Sequence, residues 1–227
     1  MKRSEINKVI KDMEKLLREC HFYLPEFASW SPDKWKNLKS DAREIVDNRL
    51  GWDITDYGTG KFREYGFSLF TIRNGNVKDP QRYPKPYAEK VLMLYPGQFA
   101  PTHYHWNKME DIINRGGNDI YITVWNGNEE NQKLDTDVTV SCDGVLKTVQ
   151  AGGRILLHPG ESITITPYLY HNFITNTSGG PVLLGEVSMC NDDENDNNFY
   201  DKIGRFPEIE EDEEPYRLLC FEYPKIR

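Results

Sequence analysis

Residues 101–110 read PTHYHWNKME and place two histidines, His103 and His105, two positions apart, with Glu110 five positions after the second. On a β-strand, residues two apart project from the same face, with about 6.6 Å between them along the backbone. Two imidazoles in this arrangement converge on one ion, and a carboxylate from the following turn can join them. The stretch therefore predicts a strand that carries a metal site.

A third imidazole from a distant strand would complete such a site, and His171, in the segment TPYLYHNF, is the best candidate. The other two histidines, His21 and His158, are interpreted as ordinary core or surface residues. Three imidazole nitrogens and one carboxylate oxygen, with positions left for water or substrate, suit Mn²⁺, Fe²⁺, Co²⁺, Ni²⁺ or Zn²⁺.

The segments around this stretch predict a protein built mainly of short strands. Asn-Gly and Asp-Gly pairs at residues 74–75, 126–127 and 143–144 alternate with runs rich in β-branched and aromatic residues. These runs are FSLFTI, EKVLMLY, DIYITVW, DVTVSC, SITIT and PVLLGEVSM. Many short strands separated by turn signals are typical of a β-sandwich or barrel rather than of alternating α/β units.

Both ends of the chain differ from this middle part. Residues 1–59 are predicted to be a helical extension that packs on the barrel, with one helix carrying an apolar stripe from Ile6 to Leu17 and a second from Pro32 to about Asp47. Residues 60–190 are predicted to form the barrel. Residues 191–227 are predicted to be an acidic lid followed by a closing strand, YRLLCFEY, within the same single domain.

Charge and composition exclude several classes of function. The net charge of −8 argues against nucleic-acid binding and against an anionic membrane surface. No apolar run approaches the length of a membrane-spanning helix, and the N-terminus has no secretory signal. Four scattered cysteines without a CxxC pair indicate free thiols and a reducing cytoplasm.

The spacing around the two histidines resembles the first motif of the cupin superfamily. Gly97 is followed after five residues by His103, after one by His105, after four by Glu110 and after six by Gly117. The second cupin motif runs from Gly160 to His171, with departures at residues 167, 169 and 176 in the turn before and after the histidine. The resemblance implies an all-β, jelly-roll-like cupin barrel with a metal site.

Three further ionisable residues are candidates for the chemistry. Lys108 lies between two candidate ligands, and Lys90 opens the strand KVLMLY; either ammonium can stabilise an oxyanion or relay a proton. Glu186 lies in the otherwise apolar segment LLGEVSM, where an ionised carboxylate is costly unless it is paired. We expect Glu186 to line the metal cavity with a raised pKa, as a general base.

Over essentially its whole length the chain resembles the cupin-type D-lyxose isomerases. The segments that carry this resemblance are GQFAPTHYHWNKMEDIINRGG, LLGEVSMCNDDENDN and RFPEIEEDEEPYRLL, together with the helical extension. The resemblance implies interconversion of D-lyxose with D-xylulose, and of D-mannose with D-fructose, with a divalent ion that is typically Mn²⁺. It implies His103, His105, Glu110 and His171 as metal ligands.

The remaining site residues are predicted from their setting in the matching segments. The candidates for catalysis are Glu186, Lys108 and Glu211, and those for substrate binding are Lys90, Asp193 and Arg205. Either Glu186 or Glu211 would move a proton between C2 and C1 of the open-chain sugar; a metal-assisted hydride shift is the alternative. The partner is thus a small sugar, and a homodimer in the cytoplasm is expected.

Three other functions stay open at this point. A cupin isomerase of phosphorylated sugars would need a phosphate cradle; Arg63, Arg73 and Arg82 are the candidates for it, although no glycine-rich loop precedes a helix. An iron oxygenase and a non-catalytic sugar-binding or storage cupin are the other two, since fold alone does not define function.

Overall fold

The N-terminal part of the chain packs one long helix and several short ones against a β-sheet. The computed structural model describes residues 1–38, 40–192 and 195–225. Helix α1 (Arg3–Glu19) buries the whole predicted apolar stripe, from Ile6 to Leu17. No helix in the described residues is long and apolar enough to cross a membrane.

The second predicted helix is shorter than expected. Helix α2 (Pro32–Lys36) begins at the predicted proline, and its Ser31 cap accepts a hydrogen bond from the Lys34 amide at 3.2 Å. The helix ends at Lys36, and after a 3-10 turn (Ser40–Ala42) helix α3 (Arg43–Asp47) follows as a separate element. The prediction of one helix from 32 to 47 was therefore wrong.

The rest of the described chain consists mainly of short strands. They are β1 (Gly51–Thr55), β2 (Phe67–Arg73), β3 (Tyr87–Leu94), β4 (Phe99–Tyr104), β5 (Glu110–Gly116), β6 (Ile120–Asn126), β7 (Val138–Cys142), β8 (Val145–Val149), β9 (Gly153–Leu157), β10 (Ser162–Ile165), β11 (Leu169–Thr175), β12 (Val182–Met189) and β13 (Asn198–Phe199). Strand β1 precedes residue 60, so the predicted boundary between extension and barrel falls after the first strand of the sheet rather than before it.

The strands form two antiparallel sheets, which confirms the predicted cupin-type barrel. One sheet has the order β1-β2-β3-β12-β5-β10-β7-β8, and the other β13-β4-β11-β6-β9. A continuous apolar core that includes Leu92, Ile112, Val124 and Phe173 lies between the sheets. Alternate residues on β3, such as Val91, instead pack against α1 on the outside of the larger sheet. Strand β3 is therefore buried on both faces.

The C-terminal tail binds the start of α1 instead of closing the barrel. Residues 216–223, predicted as a closing strand, form no strand; they make an isolated bridge between Leu219 and Trp52 and then turn back. Upstream, Glu210 pairs with Lys2, and Asp212 accepts from the Ser4 hydroxyl at 2.8 Å. The acidic run 208–214 was predicted to be a lid, but its carboxylates hold the tail to the helix.

A single buried arginine joins these two ends of the chain. Arg3 is fully buried and donates from Nε and Nη2 to Glu211 at 2.9 and 2.7 Å, and from Nη1 and Nη2 to Glu222. The Glu222 side chain is 19% exposed and that of Glu211 56% exposed. Removing the guanidinium would leave Glu222 half-buried without its cationic partner.

We expect Arg3→Met to lower the free energy of unfolding by about 2–4 kcal/mol, towards the lower end for a buried pair because solvent screens Glu211. Urea unfolding measures the change. The control is Lys15→Met, since Lys15 pairs with Glu19 at 3.7 Å on the exposed face of α1; there the loss is expected to stay below about 0.5 kcal/mol. Equal losses in the two variants would contradict the role given to Arg3.

Candidate active site

Three imidazoles meet at one end of the five-stranded sheet. His103 lies on β4 directly opposite His171 on β11, and His105 follows two residues after His103, just beyond the end of β4. One ring nitrogen of each histidine lies within 4.8 Å of a ring nitrogen of the other two. The alternation predicted for His103 and His105 thus does place both rings on the side of the strand that faces His171.

Backbone carbonyls fix the orientation of all three rings. The Nδ1 atom of His103 lies 2.9 Å from the Pro101 carbonyl oxygen, that of His105 2.7 Å from the Asp196 oxygen and that of His171 2.9 Å from the Leu169 oxygen. A carbonyl oxygen only accepts, so each Nδ1 carries the proton and each Nε2 presents a lone pair.

The inward-facing nitrogens of His105 and His171 and the Oε1 atom of Glu110 are acceptors that face one another. Among the described residues, Nε2 of His105 and Nε2 of His171 are buried and have no hydrogen-bond partner. Glu110 Oε1 lies 3.5 Å from the first and 3.2 Å from the second. Lone pairs that face one another at this distance repel unless a cation lies between them, so this group of atoms fits a metal ion.

The electrostatics favour the ligating forms of His103, His105 and Glu110. Burial lowers the pKa of His103 well below its ordinary value, and the neighbouring imidazoles add to this effect; burial and the Lys108 ammonium lower the pKa of His105. Burial alone would raise the pKa of Glu110, but Lys108 and His105 hold it well below the usual range. Neutral imidazoles and an ionised carboxylate are the forms that bind a divalent transition-metal ion.

A line of alternating charges leads away from the histidines. Lys108 Nζ lies 2.6 Å from Glu110 Oε2 and donates to Glu186 Oε1 at 3.0 Å. Lys90 Nζ donates to the same Glu186 oxygen at 3.0 Å and to Asn191 Oδ1 at 2.6 Å. Lys90 and Glu186 are direct neighbours on β3 and β12, and both are buried.

The pKa of Glu186 differs from the prediction. Burial raises the pKa of this carboxyl, as expected, but the Lys108 and Lys90 ammonium groups outweigh burial and lower it below the ordinary value. The same carboxylates act in the opposite direction on Lys108, whose pKa is raised although burial lowers it. The predicted raised pKa of Glu186 was wrong, and Glu186 is instead an ionised carboxylate held between two lysines.

These groups open into one cavity between the two sheets. Its polar lining includes His103, His105, Glu110, Lys108, Lys90, Glu186, Asn191, Asn197 and Arg205, and its apolar lining includes Tyr57, Phe67, Leu69, Phe173 and Phe199. Arg205 Nη2 donates to Asp53 Oδ2 at 2.6 Å. Polar groups that converge over an apolar floor are typical of a site for a small polar ligand.

One predicted site residue lies elsewhere, and another falls outside the described residues. Glu211 bonds to Arg3 and is not among the described residues that line the cavity, so of the two predicted bases the structure brings Glu186 alone to the site. Asp193, predicted to bind substrate, lies outside the described residues.

Several residues of the site were missed by the sequence reasoning, among them Asn191, Asp196 and Phe199. Asn191 and Asp196 lie in the acidic run NDDENDNNF, from which only Asp193 was predicted as a site residue, yet Asp196 is buried. Phe199, at the end of the same run, lies 5.5 Å from the His103 ring, centroid to centroid. The one available signal was this aromatic residue, because a purely solvated acidic loop has no need of it.

Comparison with known proteins identifies close relatives along the whole chain. A profile of the family described as D-lyxose isomerase matches residues 1–223. The D-lyxose/D-mannose isomerase of Escherichia coli O157:H7 is 43% identical over 228 residues, which cover 100% of both chains. The protein of the same name from Serratia proteamaculans is 43% identical over 224 residues, 98% of each chain.

Solved structures of more distant proteins share the fold. The L-ribose isomerase of Cellulomonas parahominis with L-ribose superposes with a TM-score of 0.60 at 15% identity, covering 92% of this chain and 98% of that one. The L-ribose isomerase of Acinetobacter sp. DL28 in complex with L-ribose gives the same TM-score and coverage at 12% identity. At such low identity the likeness shows the fold alone.

We expect chelator-stripped protein to gain stability when a divalent ion is added, by about 2.7 kcal/mol at a free-ion concentration 100 times the dissociation constant. Thermal unfolding with and without Mn²⁺ measures this gain. His171→Ala should abolish most of it, whereas the control His158→Ala should keep it, because His158 pairs with Asp119 on the surface. An unchanged gain in His171→Ala would contradict a metal site at the three imidazoles.

Proposed function

The chain belongs to the D-lyxose isomerase family of aldose–ketose isomerases, and from that premise we propose that it interconverts D-lyxose with D-xylulose, and D-mannose with D-fructose, with the help of a divalent ion. The names of its relatives with 43% identity support these substrates. The observation that carries the proposal is the ionised Glu186, paired with two lysines in the same cavity as the histidine cluster.

His103, His105, His171 and Glu110 would hold the ion. It would act as a Lewis acid on the carbonyl and adjacent hydroxyl of the open-chain sugar, which makes the neighbouring C–H more acidic. The chain presents three imidazole nitrogens and one carboxylate oxygen as ligands. The backbone hydrogen bond to each Nδ1 orients the ring so that its Nε2 lone pair faces the site.

Glu186 is the proposed base. It takes the proton from C2 of the aldose, and its carboxyl then gives a proton to C1 while the proton on O2 passes to O1, which gives the ketose. Lys108, an ammonium that already contacts Glu110 and Glu186, donates a hydrogen bond to the oxygen that gains charge and balances the proton between O1 and O2. The two lysines keep the Glu186 carboxylate ionised before the reaction. During the reaction their ammonium groups stabilise nearby negative charge.

Lys90, Arg205 and Asp193 are the proposed contacts to the sugar hydroxyls. The first two line the cavity, where Lys90 donates to Glu186 and Arg205 donates to Asp53. An oxygen-rich, uncharged ligand suits cations that are each already beside a carboxylate: Lys90 beside Glu186 and Arg205 beside Asp53.

The positions of three arginines argue against a phosphorylated substrate. The arginines considered for a phosphate cradle lie apart from one another: Arg63 stacks over the Tyr95 ring at 3.7 Å, Arg73 pairs with Glu89 at 2.8 Å and Arg82 lies 5.4 Å from the Tyr83 ring centroid. None of the three is among the described residues that line the cavity.

Three finer parts of the proposal concern the ion, the assembly and the compartment. Manganese is the proposed ion, since a mixed nitrogen and oxygen site suits it among the metals considered. A homodimer is proposed because Tyr87, Met109, Val187 and Met189 are exposed at neighbouring positions; a monomer mass by light scattering would contradict it. Cytoplasmic localisation stays a prediction from the scattered cysteines. Absence of the protein from the cytoplasmic fraction of the cell would contradict it.

Stripped protein reloaded with Mn²⁺ is expected to form ketose from free D-lyxose and D-mannose, and to lose this activity when stripped again. The assay offers both sugars beside their 6-phosphates and measures ketose. Turnover of the 6-phosphates alone would show instead that the protein is an isomerase of phosphorylated sugars. Metal binding without ketose from any sugar would contradict the proposed function altogether.

Glu186→Gln is expected to reduce kcat by about 10²- to 10⁴-fold, the usual range for loss of a positioned general base. The matched control is Glu89→Gln, since Glu89 lies on β3, next to Lys90, and pairs with Arg73 outside the cavity. Steady-state kinetics on D-lyxose measures both variants. Comparable rates in Glu186→Gln and the control would contradict the assignment of the base.

A further inference from the structure

The segment that follows β12 lies along the strand that carries the histidines. Strand β13 pairs with β4, with Phe199 opposite His103 and Asn198 opposite Tyr104. Just before it, Asp196 is 8% exposed, in a run of the sequence that is otherwise acidic and polar. A buried carboxylate needs hydrogen-bond donors, and its donors come from the connection between β4 and β5.

The Asp196 carboxylate binds two consecutive backbone amides of that connection. Oδ1 accepts from the Asn107 amide at 2.8 Å and from the Asn107 side chain at 3.1 Å, and Oδ2 accepts from the Lys108 amide at 2.9 Å. Successive backbone N–H groups that point at one anion hold a turn in a defined conformation. Here that turn is the one that connects His105 to Glu110.

The backbone of the same residue acts on the metal side. The Asp196 carbonyl oxygen accepts from His105 Nδ1 at 2.7 Å and so fixes the ring that presents Nε2 to the ion. Partners of this kind, which touch a ligand rather than the metal, typically change metal affinity or activity by about 10- to 100-fold when removed. Asp196 thus contacts both a predicted ligand and the lysine that joins Glu110 to Glu186.

We propose that Asp196 is a positioning residue that anchors the segment 195–200 over the site and sets the placement of His105 and Lys108 together. The activity part of this inference rests on the proposed function, whereas the metal part rests on geometry alone. Asp196 touches neither the predicted ion nor the sugar and acts through these two side chains.

The test uses Asp196→Asn, which keeps the size of the side chain but offers one acceptor oxygen to three donors, and Asp196→Ala, which removes all three bonds. The control is Asp143→Asn, because Asp143 likewise accepts from a backbone amide and a hydroxyl, both of Ser162, on a surface turn far from the site in the sheet order. The Mn²⁺ dissociation constant, kcat, KM and the unfolding midpoint of stripped protein are measured for each.

Asp196→Asn is expected to weaken Mn²⁺ binding and to lower kcat, each by about 10- to 100-fold, with a smaller change in KM. Asp196→Ala should lose more metal affinity and more activity than Asp196→Asn. The unfolding midpoint of stripped Asp196→Asn should match that of stripped Asp143→Asn. Unchanged metal affinity and kcat in Asp196→Asn, or losses no greater than those of the control, would overturn the inference. If the parent binds Mn²⁺ but isomerises no sugar, the proposed function fails, and the change in metal affinity still decides the role of Asp196.

Discussion

Four ionised side chains buried next to one another, Glu110, Lys108, Glu186 and Lys90, form the interaction on which the site depends. A charge taken out of water is costly unless an opposite charge and hydrogen bonds replace the water. Alternation of sign meets this requirement for all four at once, because Lys108 contacts both carboxylates and Lys90 the second one. Lys108 and the two carboxylates therefore hold one another in their ionised forms, and we expect a change at one of the four residues to affect the others.

The two sheets divide the chemistry between them. The larger sheet supplies Lys90, Glu110 and Glu186 from its adjacent strands β3, β5 and β12, and the smaller sheet supplies His103 and His171 from β4 and β11. His103 and the proposed base Glu186 thus lie on opposite walls of one cavity. Lys108 lies on the connection between β4 and β5 and contacts both Glu110 and Glu186.

Short-range patterns predicted the fold and the histidine cluster, whereas long-range contacts decided the rest. The two-residue spacing of His103 and His105 and the cupin-like motifs were enough to place both rings together with His171. The pKa of Glu186 was not predictable, because Lys90 is 96 residues away in sequence and becomes its neighbour through strand pairing. The position of Glu211 was not predictable for the same reason. Its carboxylate binds the buried Arg3, which lies 208 residues earlier in the sequence.

The proposed mechanism depends on proton transfer by a carboxylate that two lysines hold ionised. Incorporation of deuterium from the solvent tests this step most directly. Metal-loaded protein converts D-lyxose in D₂O, and NMR measures deuterium at C1 of the ketose. Proton transfer through Glu186 predicts deuterium at C1, because a proton held on a carboxylate beside lysine ammonium groups exchanges with solvent. Ketose that contains no deuterium at C1 at any extent of conversion would contradict the account and indicate a hydride shift between C2 and C1.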